Sequence, residues 1–393
     1  MIRKTIQKLL VKSGLARPET WLKQSLGVET SYAGVEVTPA SALASSTVAA
    51  CVRLLSESVA SLPLHVYRRG DKGKERAPEH PLYSILHDRP NPYMTSFNWR
   101  ALMVSHVALH GNSYNVIERD SGGRVSALWP LDPACVIVKN AGGALVYEAW
   151  IGGERRTFEY SEVLHVRGPS LDGITGLSVI KIAKQGIGLD LAMTQHGASL
   201  FKNGARPGVV LKHPESLSGK TQTQLLDNFA AKFAGALNSG KPFLLEGGLD
   251  VQVLGFSSDD AQFLQSRQFS VQEICRFFRV SPHLVGDPSR LAYASSEAEF
   301  NAFLTHTLAP WLRNLESEMN VSLLPDRTEF LIEFDPNGMA RGSLAERYAA
   351  YQKGLAGPNP WLTVADVRAA ENLPFLPGTD QLPTAKEVSH VAA

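Results

Sequence analysis

The sequence predicts an α+β fold of two or three domains, and three observations lead to this prediction. First, the chain has 393 residues, of which 44% are hydrophobic, so it can bury a substantial core. Second, residues 113–166 contain short segments of β-branched and aromatic residues separated by turns rich in Gly and Asn. Third, apolar residues recur at helical spacing over longer stretches after residue 176.

The first domain is predicted to begin with a helix and then to alternate strands with helices. Residues 47–60 have helical spacing, and their apolar face consists of Val48, Cys51, Val52, Leu55 and Val59. Residues 62–68 alternate as in a strand, and helices are predicted at 80–86 and 96–110. Six strands follow, at 113–119, 125–130, 134–139, 145–150, 155–160 and 163–166.

Helices dominate the second half of the chain. Residues 176–201 predict a helix, although Gly186, Gly188 and Gly197 each cost about 1 kcal/mol relative to Ala. Such glycines allow a neighbouring helix to approach closely, or the helix to bend. The other predicted elements are helices at 218–237, 261–278, 296–320, 340–356 and 360–373, and a hairpin at 241–253. Pro310 predicts a kink near Thr307.

The charge balance excludes a protein that binds nucleic acid tightly through its overall charge. Lys and Arg number 39 and Asp and Glu number 38, so the net charge is +1 at pH 7. A nucleic-acid clamp carries a clear basic excess. No apolar run reaches the roughly 18 residues that a membrane span needs, so we expect no membrane-spanning segment.

No motif predicts a catalytic residue, a metal site or a cofactor. Residues 218–221 resemble the end of a phosphate-binding loop, but Pro214 occupies the position of its first glycine. His106 and His110 have the spacing of a zinc protease pair, but Val107 replaces the required glutamate, so we interpret them as ordinary helix histidines. The three cysteines lack metal-site spacing, and their odd number favours a reducing, intracellular compartment over a disulfide framework.

Residues 1–41 are predicted to form a basic arm and a linker. Six basic residues oppose one acidic residue within residues 1–24, and the apolar residues are near helical spacing. A targeting peptide would have a contiguous apolar region and a cleavage site of small residues, and neither is present. We interpret the segment as an arm that is solvated or docked on a partner.

Three stretches in the second half of the chain resemble one family in their order and spacing. They are residues 188–210, residues 259–286 (DDAQFLQSRQFSVQEICRFFRVSPHLVG) and residues 293–324, which include TLAPWLRNLESEMNVSLL. The N-terminal stretch ASSTVAACVRLLSESVASLPLHVYRR adds to the pattern. Together they resemble the portal proteins of tailed bacteriophages, in the branch typified by phage HK97, from about residue 42 to residue 376.

The resemblance implies a portal fold, with a mixed α/β wing, long stem helices, a small α/β clip and a short helical C-terminal crown. The implied parts are a wing at 42–173, a first stem helix at 174–203, a clip at 204–256, a second stem helix at 257–280, a tunnel loop at 281–295, a wing helix and strand at 296–338, and a crown and tail at 339–393.

The resemblance also implies a structural role rather than an enzymatic one. Twelve copies of such a protein form a ring at one capsid vertex, through which the large terminase subunit drives double-stranded DNA and from which DNA is later ejected. The implied partners are further copies of the chain, the terminase, the major capsid or scaffold protein, the head-tail adaptor and the DNA, with no cofactor and no membrane. The implied location is the virion portal vertex, reached after assembly in the host cytoplasm.

The implied tunnel loop is polar and joins two long helices, so ring symmetry would repeat it around an axis. In one interpretation, this loop contacts DNA through His283, Ser289, Arg290 and Tyr293. Twelve copies of Arg290 would then form a charged collar. In the alternative interpretation, Arg290 forms a salt bridge with Asp287 or with an acidic residue of a neighbouring subunit.

The arginines on the preceding helix also have two possible roles. Arg267, Arg276 and Arg279 either face the channel or form salt bridges with a neighbouring subunit, and the phenylalanines of this helix are interpreted as core or interface residues. Within residues 259–313, five arginines oppose six acidic residues. Because each neutralised phosphate strengthens binding, sparse arginines suit DNA that must slide.

The sequence is also compatible with two other functional classes. One is a soluble enzyme of unknown class, and the other is a membrane-associated scaffold that uses the basic arm. Ring-shaped particles with a central hole favour the portal, a stable monomer with turnover favours the enzyme, and liposome binding that depends on residues 1–25 favours the scaffold.

Overall fold

The computed structural model divides the chain into two compact units, residues 1–333 and residues 334–393. The residues it describes are 29–70, 73–202, 209–212, 219–224, 227, 250–253, 259–287, 296–335, 344–356, 360–371 and 373–382. They combine helices with small antiparallel sheets, as the predicted α+β class requires. Among these residues, no helix combines the length and the apolar character that crossing a membrane requires.

The described part of the first unit starts with a small hairpin and two helices. Strands β1 (Glu29–Thr30) and β2 (Glu36–Val37) pair antiparallel, and helix α1 (Pro39–Ala42) leads into α2 (Ser46–Ser61). The hydroxyl of Ser45 caps α2 by accepting a hydrogen bond from a backbone N–H in the first turn. The predicted apolar face of α2 is confirmed, because all five of its residues are buried.

A hairpin and two more helices follow α2. Strand β3 (Leu64–Gly70) pairs with β4 (Gly73–Arg76), and the chain continues through α3 (Pro81–His87) and α4 (Ser96–His110). Helix α4 packs against α2. It ends at Gly111, whose φ of 83° lies in the left-handed region that only glycine adopts without strain.

The six predicted strands form two three-stranded antiparallel sheets, ordered β10-β5-β6 and β7-β8-β9. The strands are β5 (Asn112–Arg119), β6 (Val125–Leu131), β7 (Val136–Ala141), β8 (Ala144–Ile151), β9 (Glu154–Glu159) and β10 (Val163–Arg167). Every predicted boundary is confirmed within two residues, because alternation and turn residues are local signals.

A buried polar network joins the two sheets at His165. The Tyr147 hydroxyl donates to Nδ1 of His165 at 3.2 Å, and Nε2 donates to Oδ1 of Asn112 at 2.9 Å. The same Oδ1 also accepts a hydrogen bond from the N–H of Gly176 at 2.7 Å, which identifies it as the amide oxygen of Asn112. Because an amide oxygen can only accept, Nε2 of His165 carries the proton. Burial, and then the charge of Arg167, lower the pKa of His165 to about 3.

The segment after β10 packs directly against the end of α4. A Cβ atom on Gly176 would lie 2.0 Å from the carbonyl oxygen of Gly111, and one on Gly111 would lie 2.5 Å from that of Gly176. The N–H of Gly168 donates to the Gly111 carbonyl at 2.7 Å. Glycine is therefore required at this contact by the closeness of the two backbones.

The helix predicted at 176–201 is two helices, α5 (Val179–Ile182) and α6 (Lys184–Lys202). They are separated at Ala183, whose ψ of 7° departs from the helical range. Helix α7 (Asp259–Phe278) confirms the helix predicted at 261–278.

Helices α6 and α7 pack side by side in opposite directions. A Cβ on Gly186 would lie 3.1 Å from Oε2 of Glu273, and one on Gly197 would lie 3.6 Å from the ring of Phe263. The predicted close approach is confirmed at Gly186, whereas the contact at Gly197 has an ordinary van der Waals distance. Gly188 instead faces Ser31, in the turn after β1.

One two-stranded sheet is described between α6 and α7. Strand β11 (Val209–Lys212) pairs antiparallel with β12 (Asp250–Val253), so the end of the predicted hairpin at 241–253 pairs with a strand much earlier in the chain. Residues 241–249 lie outside the described residues. Of the helix predicted at 218–237, residues 219–224 and 227 are described, and they are helical.

The helix predicted at 296–320 contains a π-helical turn. The helix consists of three segments, which are α8 (Ser296–Ala302), the π turn (Phe303–Leu308) and α9 (Ala309–Leu323). The N–H of Ala309 donates to the carbonyl of Leu304, five residues earlier, and Pro310 has no N–H to continue the regular pattern. The π turn lies at Thr307, where Pro310 predicts a kink. Strand β13 (Phe330–Phe334) then joins the β3–β4 sheet beside β3.

The second unit contains α10 (Leu344–Ala356) and α11 (Val364–Ala370). The Arg347 guanidinium lies 2.9 Å from the carboxylate of Glu371, and the Tyr351 hydroxyl donates to the same carboxylate at 3.0 Å. Helix α11 begins later than predicted, because Thr363 and Asp366 form a capping box at its start.

Candidate functional site

Helix α7 positions two of the predicted site residues, Arg267 and Arg276, with a third, Arg279, just beyond its end. One face of the helix is buried and includes Ile274 and Phe278. Arg267, Arg276 and Arg279 are all exposed. Burial of Ile274 and Phe278 turns Arg276 toward solvent. Arg267 lies two turns before Ile274 on the same side of the helix and is exposed nearer the start of α7.

The exposed side of α7 is polar, with one aromatic residue in its middle. Its exposed members at helical spacing are Gln262, Ser266, Phe269 and Arg276, and the half-buried Glu273 lies next to α6. The guanidinium of Arg276 lies 5.5 Å from the centroid of the Phe269 ring, within the range of a cation–π interaction.

The phenylalanines of this region have different environments. Phe278 is buried, as expected for a core residue, whereas Phe269 is 56% exposed and Phe277 is 36% exposed. The exposed Phe269 ring and its contact with Arg276 form a surface that could be recognised only from the three-dimensional structure. In the sequence, the Gln and Ser residues around Phe269 indicate a polar helix face but not its contact with Arg276.

Arg279 has a left-handed backbone conformation, with a φ of 57°. This region is unfavourable for residues other than glycine, so surrounding contacts must hold the residue there. Its carbonyl accepts a hydrogen bond from Oγ1 of Thr307 at 2.6 Å. The N–H of Val280 returns to the carbonyl of Cys275 at 3.0 Å. The hydrogen bond from Thr307 therefore joins the turn of the chain after α7 to the π turn that contains Thr307.

His283 lies in a single 3₁₀ turn (Pro282–Val285) and is half-buried. It borders a polar cavity of about 320 Å³, together with Arg276, Asp287 and Glu299. The Ser281 hydroxyl donates a hydrogen bond to the carboxylate of Glu299. This bond joins the start of the predicted tunnel loop to α8, and the structure brings His283 and Arg276 to one cavity.

The other predicted contacts of this loop, Ser289, Arg290 and Tyr293, lie outside the described residues. The proposed DNA collar and the alternative pair between Arg290 and Asp287 therefore both stay predictions.

The two helix histidines are consistent with the interpretation as ordinary residues of α4. The ring centroids of His106 and His110 are 6.2 Å apart and the rings are nearly perpendicular. Burial, and then the nearby His110, lower the pKa of His106 to about 4. Across the part of the chain that the structure describes, no group of three or more His, Cys, Asp or Glu residues is arranged to hold a metal ion.

Sequence reasoning missed an apolar cavity beside the end of α7. The cavity measures about 320 Å³. Its lining includes Leu55, Val107, Phe277, Phe278, Pro310 and Trp311. These residues come from distant parts of the chain, so only tertiary packing brings them together.

Comparisons with known proteins agree along most of the chain. The phage portal protein family matches residues 46–372. The chain is 34% identical over 342 residues to the portal protein of Enterobacteria phage HK97, covering 85% of this chain and 80% of that protein. It is 35% identical over 364 residues to a probable portal protein of Streptomyces phage phiC31, covering 88% and 78%.

Solved structures show the same fold. A chain from the neck of an empty GTA particle superposes with a TM-score of 0.59 at 25% identity, covering 83% of this chain and 90% of that one. An HK97 family phage portal protein from Corynebacterium diphtheriae superposes with a TM-score of 0.58 at 17% identity, covering 78% and 98%. With the family match and the identity to the phage relatives, these results show that the chain belongs to the phage portal protein family.

Proposed function

We propose that this chain is the structural subunit of a twelve-membered ring at the capsid portal vertex, a conduit for genome packaging and ejection. The observation that carries the proposal is the continuous portal family match over residues 46–372, which includes both long helices and the loop after them. The proposal assigns the chain no catalytic residue and no cofactor.

Cyclic symmetry in a similar particle supports the ring. The neck of the empty GTA particle was computed with C6 symmetry, which is compatible with six or twelve copies of a subunit. A ring requires a head-to-tail interface in which two different surfaces of the same chain meet. The number twelve is the expectation from the family.

The parts of the portal are proposed with the boundaries predicted from the sequence. The antiparallel pair α6 and α7 supports two stem helices at 174–203 and 257–280, and the β11–β12 sheet between them supports a clip at 204–256. The sheets before α5 support a wing at 42–173. The clip would contact the large terminase subunit during packaging and the head-tail adaptor afterwards, while the wing side would meet the major capsid or scaffold protein.

The arginines around α7 are proposed to contribute to the channel wall or to subunit contacts. For Arg276, the contact with the exposed Phe269 ring favours a contact between subunits, because a partly apolar surface gains more from protein packing than from mobile, hydrated DNA. His283, Ser289, Arg290 and Tyr293 are proposed to face DNA from the tunnel loop.

The mass of the assembled particle tests the ring. Native mass spectrometry of the full-length protein should give twelve times the chain mass, and negative-stain images should show rings with a central hole. A stable monomer that turns over a substrate would contradict the portal function and favour an enzyme.

Packaging assays test the proposed collar. Arg290→Ala should reduce DNA packaging or retention of DNA in the channel, because twelve cations would be lost at one level of the channel. The matched control is Arg313→Ala, since Arg313 is exposed on α9 and pairs with Glu316 at 3.1 Å. Unchanged packaging and retention in Arg290→Ala would limit Arg290 to a structural role.

A further inference from the structure

Two buried cysteines from distant parts of the chain meet between α2 and α7. The Sγ atoms of Cys51 and Cys275 are 3.9 Å apart, both side chains are fully buried, and both are free thiols. The two residues are separated by 224 positions in the sequence, so their contact depends on the packing of the two helices.

The thiols lie one helical turn from the apolar cavity. Leu55 follows Cys51 by four residues and Phe278 follows Cys275 by three, so each lies on the same helix face as its cysteine. Both residues line the cavity of about 320 Å³, which is large enough for several small molecules. A small oxidant in this cavity would be one turn of helix from the sulfur atoms.

We propose that Cys51 and Cys275 are an oxidation site at which small peroxide oxidants form a reversible disulfide. A disulfide requires an S–S distance of about 2.05 Å. Rotation of the two side chains and a small approach of the helices would bring the sulfur atoms from 3.9 Å to this distance. Cys135 is half-exposed and belongs to neither helix, so it takes no part.

The oxidation balances with hydrogen peroxide as the oxidant. Cys275 is taken as the first nucleophile, because the Cys51 thiol can donate a hydrogen bond to a Cys275 thiolate across the 3.9 Å between the sulfur atoms. Its thiolate attacks one peroxide oxygen, the O–O bond breaks, and hydroxide leaves as water after taking up a proton. The sulfur of Cys51 then loses its proton and attacks the resulting sulfenic acid, and the S–O bond breaks to release a second water. The two thiols lose two electrons and the peroxide gains them.

The disulfide would fasten α2 to α7 with a covalent bond. In the proposed portal these helices belong to the wing and to the second stem helix, so the consequence for the particle rests on the proposed function. A reducing cytoplasm keeps the thiols free during assembly, whereas released virions meet an oxidising medium. The bond would therefore form after the particle leaves the cell.

The test uses the full-length chain carrying Cys135→Ser, so that only the proposed pair remains. The protein is treated with hydrogen peroxide, denatured, labelled with N-ethylmaleimide and weighed intact. We expect no label, a mass about 2 Da below that of the reduced chain, and a peptide that links residues 51 and 275. Dithiothreitol should restore two labels, and the oxidised protein should melt about 5 °C above the reduced one.

Two outcomes would overturn the proposal. One is that both thiols still take the label after oxidation, and the other is that each sulfur gains oxygen without a linked peptide. Adding Cys51→Ala to the Cys135→Ser chain should abolish the 2 Da loss, and the main measurement does not depend on this variant folding. Because the linked peptide is scored separately from particle mass, failure of the disulfide and failure of the ring are distinguishable.

Discussion

Acid should destabilise this protein through His165, which is buried where the two three-stranded sheets meet. An unfolded histidine takes up its proton near pH 6.5, whereas His165 in the folded chain does so only near pH 3. Between these values the unfolded state binds more protons, so stability falls as the pH falls. The stabilisation that comes from keeping His165 neutral is fully present above pH 6.5 and is lost progressively toward pH 3.

The size of the effect follows from the separation of the two pKa values. Each pH unit between them costs about 1.4 kcal/mol, so lowering the pH from 7 to 5 should remove about 2 kcal/mol of unfolding free energy through this residue. His165 is 4% exposed, so solvent screening reduces this value little. The measurement is urea unfolding at pH 7 and pH 5, followed by tryptophan fluorescence.

Two variants separate titration from hydrogen bonding. His165→Gln removes the titrating group, so the loss between pH 7 and pH 5 should shrink by about 2 kcal/mol. Tyr147→Phe removes the hydroxyl bond to Nδ1, so it should cost about 1 kcal/mol at both pH values and keep the full pH dependence. The reasoning is refuted if His165→Gln loses as much stability on acidification as the unmodified protein.

Three further predictions concern contacts around the helix ends. Gly176→Ala would place a Cβ 2.0 Å from the Gly111 carbonyl oxygen, so it should cost more than about 3 kcal/mol and lower the melting temperature. Thr307→Val removes the hydrogen bond to the Arg279 carbonyl and should cost about 1 kcal/mol in urea unfolding. Arg276→Ala removes a cation proposed to contact the neighbouring subunit and should shift ring assembly to higher protein concentration, by about 0.2–1 kcal/mol per interface as for an exposed charge pair, as measured by mass photometry.

Matched controls occur elsewhere on the chain. Among the residues that the structure describes, no atom lies within 4 Å of a Cβ at Gly219, so Gly219→Ala should be tolerated. Equal stability of the two glycine variants would contradict the close contact at Gly176. Thr223→Val removes an exposed side-chain bond and should change stability less than Thr307→Val. Arg53→Ala removes an exposed cation on α2, and equal loss of assembly in both arginine variants would indicate a general charge effect.

Local sequence signals predicted the secondary structure well in the described first unit. The six strands between residues 112 and 167 and helices α2, α4 and α7 lie within two residues of their predicted boundaries. Pro310 marked the position at which the last long helix departs from regular geometry, because it removes one backbone donor, but the sequence did not indicate a π turn. The break at Ala183 was not foreseeable, because alanine itself favours helix and the break arises from the tertiary environment.

The candidate site was only partly predictable. The sequence marked Arg276 and His283 as residues of interest, but it gave no sign that they border one cavity. The left-handed Arg279 and its bond to Thr307 join residues on either side of a loop, and no spacing rule reports such a bond. The side-chain partner of Arg276 was missed because aromatic residues on a helix are usually buried.

The sequence by itself determined the α+β class, the order of helices and strands, and the family resemblance that the comparisons then showed. These depend on periodicity, turn residues and motif order, which act between near neighbours in the chain. Only the tertiary structure decided that Cys51 meets Cys275, that His165 is held neutral between two sheets, and that an apolar cavity opens beside the end of α7. Such contacts join residues far apart in the chain, and packing alone sets their distances.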